Sequence, residues 1–273
     1  MTGVRVRCYL QLRQIDASFS GQWAGLCGGR VTGLRYFCTC MRPFPKLIAF
    51  DADDTLWANQ PLFDEAEEEL RSLLRQFGTD DQINQVLIDV QAENLHLMGY
   101  GAKGFMLSMI EVAIRLTDEQ VRGTHIQQII DLGKELLRFP IALIDGVEEV
   151  LQTLSADHEL MVLTKGDLLD QESKLARSGV GQYFSHVEIV SEKHEAAYRR
   201  ILSRYSVEPA DFLMIGNSLK SDILPVVNIG GQAIHIPYHT TWHFEKLPDN
   251  YQLGEYVQLD SIRDVLEWLT TTR

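Results

Sequence analysis

Between Leu47 and Leu56 an apolar run, Leu47-Ile48-Ala49-Phe50, ends in two carboxylates on alternate residues, Asp51 and Asp53, followed by Thr55. Read as a buried strand leading into a loop, the segment delivers both acids to the carboxyl edge of a sheet. Open α/β folds place their ligand crevice at that edge. Two acids held close together there can divide labour, one attacking as a nucleophile and the other carrying a proton. The competing reading is a polar strand end or turn, where Asp is common; the residues downstream argue against it.

After Thr55 the pattern turns helical. Apolar residues recur at helical spacing over 63–77, 83–98, 105–116 and 119–139, with Gly99-Tyr100-Gly101 as a break and Thr117-Asp118 as a start signal for the last helix. Phe139-Pro140 ends the block, because a residue before proline avoids the helical region. From 141 onward strands at 159–163, 187–190, 212–215 and 232–236 alternate with helices at 147–154, 168–178, 195–205, 219–227 and 262–269. This alternation predicts a Rossmann-like parallel sheet covered by helices on both faces, with an all-helical cap inserted after the first strand. The expected α/β core is 41–57 together with 141–273, and the expected cap is 58–140. A helical insert directly after the strand that carries the acids is placed to exclude water and select the substrate.

Composition narrows the partners. A net charge of −13 argues against a nucleic-acid backbone or an anionic membrane surface, and the longest apolar runs are too short to span a bilayer. All four cysteines, Cys8, Cys27, Cys38 and Cys40, lie in the first 40 residues. The main body can hold no disulfide framework, and a reducing cytoplasm is the expected compartment. Cys38-Thr39-Cys40 lacks the spacing of a zinc knuckle. Residues 1–40 contain five arginines, six glycines and a single acid, Asp16. They are read as an extension, disordered or not natively translated, with Met41 as the start.

Four strand ends present polar groups. The first offers Asp51 and Asp53, the second Thr164, the third is followed by Lys193, and the fourth by Asn217 and Asp222. Parallel strands put their carboxyl ends on one edge, so these groups can converge. A carboxylate nucleophile with an ammonium, a hydroxyl and several oxygen donors suits a phosphoryl group, whose charge a divalent cation would neutralise. Acids without Cys or His at these edges favour Mg²⁺ over zinc.

In this order, Asp-x-Asp-x-Thr, a strand ending in Thr, Lys, then Gly-Asn-Ser-x-x-x-Asp, the chain resembles the haloacid dehalogenase superfamily of phosphotransferases, in the subgroup with a helical cap. The resemblance runs from about Leu47 to Pro237. It implies that Asp51 attacks phosphorus and becomes an aspartyl-phosphate. Asp53 protonates the leaving alcohol and then deprotonates the hydrolytic water. Thr164 bonds a phosphoryl oxygen and Lys193 balances its charge. Mg²⁺ falls to the Asp51 side chain, the Asp53 backbone carbonyl, Asn217 and Asp222. Dehalogenases of this type lack an acid at position 53 and need no metal, so Asp53 argues for phosphoryl transfer.

The chain departs from the pattern at Asn217, where the family usually has Asp, so one negative charge is missing. Lys193 lacks the proline that commonly follows this lysine; its rival, Lys174, is read as a solvated helix residue. Lys165 replaces a frequent Asn and is read as facing solvent, with contact to the phosphate as the alternative. Asn94, Tyr100 and Lys103 surround the glycine break and could reach into the site, although each by itself reads as part of a plain helix–helix turn. His239 and His243 lie in a loop where their spacing aligns no ligands, and Trp57 and Phe63 are expected to pack in the core, with a place between cap and core as the alternative. The expected function is Mg²⁺-dependent hydrolysis of a small phosphomonoester. The alternatives are a sugar phosphomutase using the same residues, or a catalytically weak binding protein, which Asn217 motivates.

Overall fold

The computed structural model describes residues 7–8, 44–248, 251 and 254–271. Six parallel strands, β2 (Leu47–Phe50), β3 (Glu159–Lys165), β4 (His186–Val190), β5 (Phe212–Gly216), β6 (Gln232–His235) and β7 (Val257–Gln258), lie in the order β7-β6-β5-β2-β3-β4. A two-residue strand β1 (Arg7–Cys8) pairs antiparallel with β7 at the sheet edge. The remainder of 1–40, expected to be an extension, lies outside the described residues.

From β2 the chain passes to β3 and β4 on one side, then returns to β5 on the other side of β2. This reversal opens a crevice between the carboxyl ends of β2 and β5. All four residues of β2 are buried, and alternate ones serve opposite faces. Ile48 and Phe50 join Val162, Leu213 and Ile215 under helices α5 (Val147–Leu154) and α9 (Asp264–Thr271). Leu47 and Ala49 join Met161, Leu163 and Met214 under α7 (Glu195–Arg204) and α8 (Leu224–Asn228). A strand buried on both faces reads as a continuous apolar run rather than an alternating one.

Between β2 and β3 stand α1 (Gln60–Leu74), α2 (Asp80–Met98), α3 (Ala102–Leu116) and α4 (Gly123–Arg138). They enclose a hydrophobic cluster of their own, centred on Leu70, Ile83, Met109, Val112 and Ile129. α2 opens on a capping box: Thr79 Oγ1 accepts from Gln82 N at 3.3 Å, and Gln82 Oε1 accepts from Thr79 N at 2.9 Å. The sequence pattern placed the start of α4 at 119, but the helix begins at Gly123. Thr117 Oγ1 donates back to Ala113 O at 2.8 Å and closes α3, and Asp118 and Glu119 then adopt left-handed φ of 48° and 64°. The single helix expected over 219–227 is a π turn, Leu219–Ile223, followed by α8, which carries Pro225 in its first turn. β7 escaped the sequence reading because two residues hold no period. Among the described residues no helix is long and apolar enough to cross a membrane.

Candidate active site

The carboxyl ends of β2, β3, β4 and β5 bring Asp51, Asp53, Thr164, Lys193, Asn217 and Asp222 to the wall of one cleft between sheet edge and cap. Asp51 is anchored by its own backbone, whose N–H donates to Ile215 O at 2.9 Å. Lys193 Nζ donates to Asp51 Oδ1 at 2.5 Å and to Asp222 Oδ1 at 2.7 Å. Thr55 Oγ1 lies 3.2 Å from Asp51 Oδ2 and 3.3 Å from Asn217 Oδ1, so one hydroxyl is shared between the first and last motifs. Burial pushes the Asp51 carboxyl up to about 7, against the pull of Lys193 and with a further push from Asp222. Burial acts to lower Lys193, but Asp222 and Asp51 outweigh it and hold the ammonium protonated.

The loop after β5 is shaped around Asp222. Ser218 N donates to Asp222 Oδ2 at 2.9 Å. A Cβ at Gly216 would lie 2.3 Å from the same oxygen, so only glycine lets the strand end and this carboxylate approach so closely.

Asp53 has a different set of partners. Trp57 Nε1 donates to its Oδ1 at 2.8 Å, Gln171 Nε2 to its Oδ2 at 3.1 Å, and Lys174 Nζ to both oxygens at 3.1 and 3.2 Å. The reading of Lys174 as solvated is thereby corrected: the residue is buried, and it also pairs with Asp170 at 3.5 Å and donates to Asn59 Oδ1 at 2.8 Å. Asp170, Gln171 and Lys174 form the buried face of α6 (Leu168–Ser178). Three polar residues on one helix face ordinarily mark the solvated side, so the sequence carried no signal that this face is buried. Trp57 packs in the core as expected and adds the indole bond to Asp53. Asp54, with φ of 63°, also lines the cleft and accepts from the amides at the start of α1, Asn59 N at 2.8 Å and Gln60 N at 3.0 Å.

Lys165 likewise lies in the cleft rather than in solvent. Its ammonium donates to Ser221 Oγ at 2.9 Å, pairs with Glu245 and sits 4.1 Å from the centre of the Tyr100 ring. Glu245 had no signal in the sequence, since it belongs to no motif. It accepts from Ser218 Oγ at 2.5 Å and Ser221 Oγ at 2.6 Å. Burial pushes Glu245 up, but Lys165 and the two serine hydroxyls outweigh it and hold the carboxyl below its ordinary range. Thr164 Oγ1 accepts from Gln171 Nε2 at 2.8 Å.

Of the cap residues, Asn94 and Tyr100 line the cleft, as does Phe63. Asn94 donates to Ser108 Oγ at 3.3 Å and Glu111 Oε2 at 2.9 Å. Lys103 is drawn away from the cleft to Asp167 at 2.8 Å, and Tyr100 OH donates to Glu192 at 2.8 Å; both contacts tie cap to core. His239 packs tilted against Tyr238, and His243 meets the Phe244 ring edge-on.

The donor set suits a hard cation. Asp51 and Asp222 bring two carboxylates into a buried site, and the Lys193 ammonium between them balances one charge. Asn217 adds an uncharged carbonyl oxygen, and every candidate donor is oxygen, as Mg²⁺ prefers. Among the described residues no group of three His, Cys, Asp or Glu forms a cage alone, so a cation here would keep several waters, as Mg²⁺ does.

The profile of the haloacid dehalogenase-like hydrolases matches residues 45–230. The chain is 23% identical over 250 residues to a glyceraldehyde 3-phosphate phosphatase of Pyrococcus furiosus, covering 81% of this chain and 93% of that one. It is 31% identical over 139 residues to a pyrimidine 5'-nucleotidase of Streptococcus pneumoniae, covering 46% of this chain and 57% of that one. Among solved structures, a haloacid dehalogenase-like family hydrolase from Xanthomonas campestris shares 40% identity and a TM-score of 0.69, over 75% of this chain and 87% of that one.

Proposed function

Because the chain belongs to the haloacid dehalogenase-like hydrolases, we propose that it hydrolyses a small phosphomonoester through an aspartyl-phosphate on Asp51, with Asp53 as general acid and base and Mg²⁺ as cofactor. The observation that carries this reading is the separation of the two carboxylates' partners. Asp51 is held by Lys193 and Thr55, while Asp53 is held by Trp57, Gln171 and Lys174. Two neighbouring acids in unlike environments can take unlike roles. The phosphatase from P. furiosus and the nucleotidase from S. pneumoniae support a phosphate ester as the substrate class.

Asp51 attacks phosphorus as the bond to the leaving oxygen breaks, and Asp53 gives that oxygen a proton. Asp53 then takes a proton from the water that attacks the aspartyl-phosphate, which frees inorganic phosphate and restores Asp51. Lys193 stays charged beside the reacting group and lowers the cost of the charge gathered there. Thr164 Oγ1 donates only to Lys165 O, at 3.4 Å, so its proton can turn to a phosphoryl oxygen. The cation would be held by the Asp51 carboxylate, the Asp53 backbone carbonyl, Asn217 and Asp222, and would supply charge neutralisation of the phosphoryl oxygens. The lack of cysteine after residue 40 supports a reducing, cytoplasmic setting.

Release of inorganic phosphate from p-nitrophenyl phosphate, with and without Mg²⁺, tests the proposal. Turnover that needs Mg²⁺ and disappears in Asp51→Asn is expected. Folded protein silent in both conditions would instead favour a binding role.

A further inference from the structure

Three lysines line the cleft, and each already has a carboxylate. Lys193 lies between Asp51 and Asp222, Lys174 between Asp53 and Asp170, and Lys165 against Glu245. No arginine is among the described residues of the lining, where carboxylates outnumber ammoniums seven to three. Lys193 and Lys174 stand at the two reacting carboxylates. Lys165 reaches the cap side, over the ring of Tyr100, and a second anionic group on a substrate would look to this ammonium. Glu245 cancels it, with Ser218 and Ser221 fixing the carboxylate in place. The first turn of α3, another attraction for an anion, meets the Asp167 carboxylate through Lys103. Beyond these charged groups Phe63, Leu95, Met98, Phe105 and Trp242 give the wall apolar and aromatic surface, beside the uncharged Gln91, Asn94 and Ser108. Glu245 lies past residue 230, where the family match ends.

We propose that the leaving group is an uncharged alcohol with an apolar or aromatic body, and that Glu245 determines this specificity by neutralising Lys165. The inference rests on the phosphatase reading, in that it describes the group released from phosphate. A carboxylate brought to this wall would meet Glu245 without a free cation, and like charges at close quarters repel. The apolar cap face would in turn gain by covering an aromatic or aliphatic body.

Binding of two non-hydrolysable probes, benzylphosphonate and 4-carboxybenzylphosphonate, separates this inference from the one beneath it, since neither needs turnover. Calorimetry on the wild-type chain should show the carboxylated probe binding at least about tenfold more weakly. In Glu245→Gln the gap should close to about threefold or less, because Lys165 is released to the carboxylate. Lys165→Gln is the second variant: it leaves Glu245 uncompensated and should widen the gap beyond that of the wild type. Equal or tighter binding of the carboxylated probe by the wild type overturns the proposal. So does a gap that neither variant moves. Hydrolysis of phenyl phosphate, followed in parallel, reports on the phosphatase reading alone. Selective binding without turnover removes that reading and keeps the charge-matched wall, whereas turnover with indifferent binding does the reverse.

Discussion

Lys174 Nζ lies 3.1 Å from Asp53 Oδ1, joining residues 121 positions apart in the chain. Through this contact the second helix of the core domain reaches the acid proposed to move the proton. The same ammonium holds Asp170, so a single buried cation serves two carboxylates.

Removing it should therefore damage stability and activity together. Breaking a buried pair leaves the partner charges uncompensated, which costs about 3 kcal/mol. Lys174→Met should lower the stability read by urea unfolding by roughly 2 kcal/mol, after allowance for the partial exposure of Asp53, and should slow phosphate release by about 100-fold. Unchanged turnover in a folded variant would remove Lys174 from the site.

The two acids of the first motif should fail differently. Asp51→Asn removes the proposed nucleophile and should reduce phosphate release by at least about 1000-fold while leaving the substrate able to bind. Asp53→Asn keeps the proposed nucleophile but loses the proposed proton carrier, and should slow turnover by about 100- to 10,000-fold. A phosphorylated protein detectable by intact mass after brief mixing is expected for Asp53→Asn and not for Asp51→Asn. Accumulation in the wrong variant would exchange the roles.

Gly216→Ala tests the packing of the loop after β5. The added methyl would stand 2.3 Å from Asp222 Oδ2, and overpacking of this kind costs about 1–3 kcal/mol. Thermal unfolding should show the loss, and the Mg²⁺ concentration for half-maximal activity should rise as Asp222 is displaced. A variant with unaltered melting and Mg²⁺ response would show that the carboxylate is free to move aside.

Protonation of Asp51 gives a pH prediction for metal-free protein. Its carboxyl is raised by burial from an ordinary 3.8 to about 7. The folded state thus binds a proton more tightly than the unfolded chain does. The stabilisation this supplies is fully present below pH 3.8 and is lost as the pH rises through about 7. Wild-type protein should lose stability relative to Asp51→Asn across that window, and added Mg²⁺, which favours the ionised carboxylate, should reverse the loss at the neutral end. Parallel pH profiles for the two proteins would contradict the assignment.

Much of the fold was legible because its signals are local. The continuous apolar run of β2 announces a strand buried on both faces, and Gly179, with φ of 76°, closes α6 as the pattern implied. Errors arose where a side chain chose between two local partners. Thr117 reads equally well as a start or a stop, and its bond back to Ala113 decides for the stop. Lys174 looked solvated because a lysine on a helix usually is, and nothing along the chain reveals that its face lies against Asp53.

By itself the sequence determined the alternation of strands and helices, the placement of a helical insert after the first strand, and the polar residue types at four strand ends. A parallel sheet then carries those ends to one edge, because each crossover returns the chain in the same direction. Only the tertiary structure decided the pairing of charges there: Lys193 shared by Asp51 and Asp222, Lys174 given to Asp53, and Glu245 brought from outside every motif to Lys165. The physical reason is range. Secondary structure follows from contacts within a few residues, whereas buried charges must be neutralised by whatever opposite charge the packed fold brings within a few ångströms.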